Sequence, residues 1–528
     1  MTAAASPDAV LAAQAHGDKH KWLIAIAVVI ACLMQVIDTS IVNVALPQMM
    51  GELGANIDEI AWVSTGYILA SVIVMPMTGW LAAFFGRKRY FAASIVIFTV
   101  ASIFCGLSHS LGALVFWRVV QGLGGGALLT TSQAILYEVF PPEEIGLALA
   151  LFGLGVMVGP TIGPTLGGWL TDRYSWPWIF FINLPIGVIA VTMVIVYIHD
   201  AAHHVKASTV DYPGILLLAA AIGSLQYVLE HGEREDWFDS RRIVVLAVVA
   251  AVTSVALVWR ELRIKEPVVD FRVLRHRETA VGTMIGIVFG LGLLGSVFVL
   301  PIFLQGMLHM TPMQTGLVLM PGAIATAVTM GVSGRLLNKI DVRLMCTAGA
   351  ILFFVSMHQL AAVTSAAGPR DFFMPLIWRG LGLGLMFVPL TNITLGGLKG
   401  SELGHGSAVS NFFRQLGGSF GIAVMATLLT RFTAQAHSIL LEHVSAYDPA
   451  ALGRVSSAAR GLMARGIDPS AANAMALRAI NGQVAVQANV IAFSKVYQLS
   501  GWILLCTIPF LLFVRKTKPA AGAHIAAE

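Results

Sequence analysis

WLIAIAVVIACLMQVIDTSIVNVAL, the stretch from Trp22 to Leu46, holds one charged side chain, Asp38, in 25 residues. A helix rising about 1.5 Å per residue crosses ~30 Å of hydrocarbon in about 20 apolar residues, so this run predicts a spanning helix. The Ala-rich polar residues 1–20 before it contain no apolar core or cleavage site, so the run reads as a retained anchor. Thirteen more runs of similar character follow, at 60–82, 90–108, 112–137, 146–170, 178–198, 213–230, 242–260, 279–304, 313–337, 344–364, 373–398, 406–430 and 493–514.

Composition agrees with fourteen spans. The chain of 528 residues is 57% hydrophobic and 12% charged, against about 25% charged in a soluble domain. A water-soluble enzyme and a disordered chain are thereby excluded. The net charge of +5 is too mild for a nucleic-acid binder. Cys32, Cys105, Cys346 and Cys506 lie in apolar runs without ligand spacing and read as small hydrophobes. His199, His203 and His204 lack an accompanying carboxylate or thiol set, so no metal is assigned. Protons are the only coupling species the sequence calls for, and no cofactor is expected.

An even number of spans puts both ends on one side. That side collects 19 of the 33 lysines and arginines, the other 11, and Arg118, Arg379 and Arg414 fall within spans. Five of the 11 sit in the long segment 431–492, which counts little because long loops translocate regardless of charge. Both termini are therefore expected in the cytoplasm. Trp22, Trp62, Trp80, Trp117, Trp169, Trp178, Trp259 and Trp378 lie near span ends, at headgroup level. The inner loop Glu138–Glu144 has acids and no base, against the rule.

The chain also repeats itself. Gly79-Trp80-Leu81 recurs as Gly334-Arg335-Leu336 at an offset of 255 residues, and Ala45-Leu46-Pro47 as Val299-Leu300-Pro301 at 254. Trp117-Arg118 recurs as Trp378-Arg379 at 261. The expected fold is an all-α polytopic membrane protein of two pseudo-symmetric six-helix bundles, 22–198 and 279–514, with two extra helices in 213–260. Tails at 1–21 and 515–528 are cytoplasmic. The outer loop 431–492 has Ala-rich helical periodicity around Gly466–Pro469 and is read as periplasmic helices or a partner contact. Halves related by an axis along the membrane normal enclose a cavity suited to transport.

Asp38 is the one carboxylate well inside a span. Charge at that depth costs about 3 kcal/mol or more unless it is paired, protonated or wet. Two readings follow: a site that gains and loses a proton, or a structural ion pair locking two helices. Arg118 is the partner expected, since the two side chains lie about 12 and 9 Å below the same face; the alternative for Arg118 is snorkelling to the interface. Gln35 and Gln121 share their helical faces, and Gly122 and Gly125 leave room for a neighbour. Tyr67, Phe298, Asn392 and Asn411 are candidates to line a substrate cavity.

In the fifth span Gly155, Gly159, Gly163 and Gly167 recur at four-residue spacing, with Gly168 beside them and Pro160 and Pro164 each removing a helix hydrogen bond. This predicts a kinked helix whose smooth face forms a moving interface between the halves, with plain glycine packing as the alternative.

Together these motifs resemble the major facilitator superfamily, and within it the fourteen-span drug:proton antiporters of the EmrB/QacA type. Asp38-Thr39-Ser40-Ile41-Val42-Asn43-Val44-Ala45-Leu46-Pro47 is similar to that group's first-span signature, and Arg118–Gly122 to the superfamily's proton-linked fourth-span motif. The Gly159–Gly168 run resembles the antiporter motif. Trp178–Gly187 and Ser224-Leu225-Gln226 with Asp236-Trp237-Phe238 are closer to the EmrB branch. The resemblance implies proton-driven export of lipophilic drugs across a Gram-negative inner membrane, coupling through Asp38 and Arg118, a periplasmic adaptor and an outer-membrane duct.

Two departures alter that expectation. Ala83 stands where the second-span loop motif (Gly79, Gly86) carries an Asp, so gating charge is expected to run through Arg87, Arg89 and Asp341. The tenth span has no acid, which favours neutral, monocationic or anionic lipophiles over dications. The rival readings are a dedicated metabolite or siderophore exporter, and a non-transporting membrane scaffold or sensor.

Overall fold

The computed structural model describes residues 7–198, 210–337, 339–442 and 449–514. The group His199, His203 and His204, the C-tail 515–528 and the first six residues lie outside them. Among the described residues the regular structure is all helical, as hydrocarbon requires of a backbone that must satisfy its own hydrogen bonds. Thirteen helices are long and apolar enough to span, and a fourteenth is the bent pair Ile145–Met157 and Ile162–Arg173, which meet at 41°. The bend falls at Gly159-Pro160, where the sequence predicts it.

Matched end-caps expose the repeat. The second span starts at Asn56, whose side chain accepts from the Glu59 N–H at 2.8 Å while the Glu59 carboxylate accepts from the Asn56 N–H at 3.0 Å. The tenth starts at Thr311 with the same reciprocal pair to Gln314, at 3.2 and 2.9 Å. Each box satisfies two helix donors that would otherwise lack partners. Their separation, 255 residues, is the offset of the glycine motifs.

The crossings between halves obey the same symmetry. Gly79 in the second span lies so close to His405 of the thirteenth that an added Cβ would stand 2.8 Å from its ring. Gly334 in the tenth meets Gly146 of the fifth backbone to backbone. The repeat carries 79 to 334 and 146 to 405, so each contact is the other's mate. Tyr137 packs on Leu395, Leu398 and Leu403 at the same end, beside Gln133, Ser407 and Asn411. The contacts joining the halves thus gather toward the end that carries Lys21 and Arg87, called here the basic end.

This crossing yields a first test. Gly146→Val forces the fifth and tenth spans apart. A cysteine placed at Leu403, buried at that junction, is then expected to react with a water-soluble maleimide about tenfold faster, a shift of ~1.4 kcal/mol toward an open basic end. An unchanged rate would show that the crossing does not hold that end shut.

Two features of the sequence gain a structural explanation. The segment 431–492 is largely helical, as its Ala-rich periodicity suggests: the thirteenth helix continues unbroken over Ser401–Glu442, the helix Pro449–Met463 follows, and the last span begins at Pro469. The two spans therefore extend about 18 and 36 Å past their apolar stretches, packed on one another. The acidic inner loop is also accounted for: Glu138 pairs with Arg87, and Glu144 with Lys21 at 2.8 Å. Two of its three acids are thus paired with bases from elsewhere in the chain.

The two extra spans, Tyr212–His231 and Arg241–Glu261, pack on each other, and the first of them also leans on the second and thirteenth spans. Asp211 caps the first through the Gly214 N–H and pairs with Arg260 at 2.7 Å, whose guanidinium holds the carboxyl below its ordinary range. At the other end Trp237 donates to Thr427 at 3.0 Å, fastening the hairpin to the thirteenth span.

Candidate functional site

Asp38 is fully buried, and three donors converge on its carboxylate. Arg118 Nη1 donates to Oδ2 at 2.6 Å, and Gln121 Nε2 and Asn183 Nδ2 each donate to Oδ1 at 2.9 Å. Arg118, itself 1% exposed, also donates from Nη1 to Gln121 Oε1 at 2.8 Å and from Nε to the Val63 carbonyl at 2.9 Å. Its guanidinium lies 4.3 Å from the Tyr67 ring centroid and 5.7 Å from that of Phe180. The matching depths read from the sequence therefore correspond to a direct ion pair.

Each helix supplies a part for a local reason. Arg118 and Gln121 are three residues apart and share a face. Gly122 lets the fourth span press on the Tyr67 carbonyl, and a Cβ there would collide with the backbone. Asn183 starts the second piece of the sixth span, after the short turn Trp178–Phe181, and also donates to Ser102 Oγ at 3.0 Å. Gln35 is buried one turn before Asp38 and lies beside the Tyr67 hydroxyl, and its Oε1 has no hydrogen-bond partner among the described residues.

Three groups found here are absent from the sequence-level site. Asn183 lies in the stretch Trp178–Gly187, and its signal is an amide inside an apolar span, which is costly unless it is used. Gln133 joins the halves by accepting from Asn411 Nδ2 at 2.5 Å and from Ser407 Oγ at 3.3 Å. Thr283 faces a small cleft beside it.

The other candidates scatter. Asn411 belongs to this junction. Phe298 is half-buried against the second half's core, and Asn392 sits between Thr391, which faces the cleft, and its own helix end. Arg379, the repeat mate of Arg118, is buried, and its Nη1 has no hydrogen-bond partner among the described residues. The offset that carries Ala45 to Val299 places Gly292 where Asp38 would stand, so only one half has the acid–base pair.

The glycine face of the fifth span is a correction: it lies on the first span, within one half. A Cβ at Gly155 would stand 3.2 Å from Val29, one at Gly159 would stand 2.5 Å from Val36, and one at Gly163 would overlap the Ser40 hydroxyl. Gly167 meets Ile41, with only Gly168 left in ordinary contact, 4.0 Å from Val44. The half-to-half contact of this helix comes from Gly146 and from Gly153, whose Cβ would meet Met330 and Phe387. The gating charges also differ from expectation: Arg87 pairs with Glu138, Arg89 is exposed, and Asp341 caps the eleventh span through the Arg343 N–H at 3.0 Å. Gly86, with φ +89°, makes the turn between second and third spans that only glycine adopts without strain.

Comparison with known proteins follows the same lines. The profile of the Major Facilitator Superfamily matches residues 28–422. The chain is 37% identical to the multidrug export protein EmrB of Haemophilus influenzae, over 81% of this chain and 84% of that protein. It is 34% identical to EmrB of Escherichia coli K12, over 95% and 96%. Among solved structures, the proton:xylose symporter XylE superposes with a TM-score of 0.61 at 11% identity, covering 95% of this chain and 98% of that one.

Proposed function

Because this chain belongs to the major facilitator superfamily, we propose that it exports lipophilic drugs and toxic compounds across the cytoplasmic membrane by proton antiport. The observation that carries the reading is the buried carboxylate of Asp38, held at once by Arg118, Gln121 and Asn183. Three donors match an ionised carboxylate. A proton arriving on it removes the charge that holds Arg118 and leaves one donor facing an O–H. The ties between first, fourth and sixth spans loosen together, and the halves rock by alternating access about the symmetric crossings at Gly79 and Gly146. In this reading the basic end faces the cytoplasm, and the contacts gathered there make this the state closed on that side.

Energetics allow the cycle. One charge moving through 100 mV is worth about 2.3 kcal/mol, and a tenfold proton gradient adds about 1.4. Together they support a concentration ratio of about several hundredfold for a neutral substrate at one proton per turn. The helical arm beyond the thirteenth and fourteenth spans is where a periplasmic adaptor leading to an outer-membrane channel would meet the protein.

Inverted vesicles carrying the protein test the reading. An imposed proton gradient should drive accumulation of several chemically unrelated lipophiles, and adding any of them should speed decay of the gradient. Selective movement of one compound would favour a dedicated metabolite or siderophore exporter. No substrate-dependent proton flux would favour a scaffold or sensor.

A further inference from the structure

Opposite the basic end, where the extra hairpin leans on the second span, stands an acid that the Asp38 site does not use. Glu230 lies in the last turn of Tyr212–His231, one turn after Gln226 on the same helical face, and its Oε1 accepts from Gln226 Nε2 at 3.0 Å. Its Oε2 is buried with no hydrogen-bond partner among the described residues. The same holds for Oε1 of Gln226, a residue only 2% exposed. Thr65 of the second span turns its hydroxyl toward the carboxyl without bonding Oε2. Among the described residues the one charged group acting on that carboxyl is the exposed Arg234.

The other titratable groups nearby are already answered. Glu233 accepts from Thr430 Oγ1 of the thirteenth span at 2.8 Å. Glu235 accepts from Tyr227 Oη at 2.9 Å and from Ser240 Oγ at 3.1 Å, with Arg242 3.8 Å away. His231 stacks on the Tyr227 ring, 4.3 Å between centroids. On the second and thirteenth spans, Asp58, Glu59 and Arg431 are exposed. An ionised carboxylate sealed from water needs donors at both oxygens. Asp38 has three donors, one of them a cation, whereas Glu230 has one neutral amide and no paired cation among the described residues. A neutral acid carries its own O–H donor, and Gln226 Oε1 is an acceptor in want of one.

We infer that Glu230 is a second proton-binding site, neutral in this conformer and closing a cyclic acid–amide pair with Gln226. The amide donates to one carboxyl oxygen, and the acid O–H donates to the amide oxygen. The pair keeps charge off the face that the hairpin presents to the second span, where the Trp62 ring lies 6.0 Å from Tyr227 and 5.8 Å from His231 by centroid. Next to Trp62 is Val63, whose carbonyl accepts from Arg118 Nε at 2.9 Å. One turn of the second span thus carries Val63, which holds Arg118, and Thr65, which faces Glu230. Loss of the Glu230 proton to water at that end leaves an unpaired anion against this turn and unseats the hairpin. Glu230 acts through the second span and is a positioning residue for Arg118; its proton is not the one exchanged for substrate. The proton site stands without the export reading, whereas its bearing on transport rests on it.

Infrared difference spectra of the full chain in lipid nanodiscs read this proton directly, through the C=O stretch of a neutral carboxylic acid. Raising the pH from neutral should bleach one such band in the wild type. Glu230→Gln, which copies the neutral acid in shape, should lack that band, and Gln226→Leu should shift it because the cyclic partner is gone. A cysteine at Val228, buried with Tyr227, Ile243 and Trp62, reports the seating of the hairpin. At alkaline pH it should react with a water-soluble maleimide at least about tenfold faster than the same cysteine combined with Glu230→Gln, as ionisation shifts the population toward the unseated hairpin. A bleaching band that survives in Glu230→Gln, or equal maleimide rates with and without that substitution at every pH, overturns the site. Should Glu230→Gln not assemble, the Gln226→Leu spectrum decides, and an unshifted band counts against the pair. Failure of the two readings is distinguishable. The band without substrate-driven proton flux removes the export reading and keeps the site, and flux without the band removes the site alone.

Discussion

Replacing Asp38 by asparagine is expected to lower gradient-driven export at least about a hundredfold, equivalent to losing ~2.7 kcal/mol of coupling. The amide keeps the size of the carboxyl but cannot be charged in one half-cycle and neutral in the other. It also leaves Arg118 buried without its anion, and removing one partner of a buried pair typically costs about 3–5 kcal/mol. Destabilisation must therefore be separated from uncoupling. The double variant Asp38→Asn with Arg118→Gln removes both charges, relieves the stranded cation and should recover much of the thermal stability while remaining uncoupled. Recovery of export along with stability would show that the pair is a structural lock, the reading that sequence alone left open.

Gly163→Ala should also be damaging, because its new methyl group overlaps the Ser40 hydroxyl. Ser40 lies two residues from Asp38, and its hydroxyl donates to the Ile37 carbonyl at 3.0 Å and to the Gly159 carbonyl at 3.3 Å, beside the bend at Pro160. The fifth span thus grips the first where the proton acts. Overpacking of this kind costs about 1–3 kcal/mol, and transport is expected to fall at least about tenfold. Ser40→Gly should restore it by clearing the space. Gly168→Ala, where the methyl group meets Val44 at ordinary contact distance, should transport normally. If Gly163→Ala and Gly168→Ala behave alike, helix approach is not what the motif provides.

Depth and repetition were the legible parts of this molecule. A carboxylate and a guanidinium at equal depth in apolar helices have few partners other than each other, so Asp38 and Arg118 could be paired before any coordinates. The repeat was visible in short motifs, and the end-caps at Asn56 and Thr311 extend it. Partner choice was less legible. Four-residue glycine spacing says that a helix is smooth on one side, not which neighbour lies there, and the face of Gly155–Gly168 turned out to rest on the first span. Outside the hydrocarbon a helix needs no apolar run, so hydropathy ends the spans near 430 and 493, and only the Ala-rich periodicity of 431–492 tells that helix continues through much of it. The acids at Glu138 and Glu144 looked anomalous because Arg87 and Lys21, which neutralise them, lie 51 and 123 residues away. Asn183 went unassigned because its role depends on where a broken helix restarts.

The exchange of one proton against substrate at Asp38 can be read without a membrane gradient. Purified protein in weakly buffered solution is mixed with saturating substrate at a series of pH values while released protons are counted with an indicator dye. Release from the wild type should pass through a maximum with pH, reaching at most about one proton per chain, as linked binding equilibria require, and none should appear with Asp38→Asn. Equal release from both, or no release from a wild type that binds its substrate, would contradict the account.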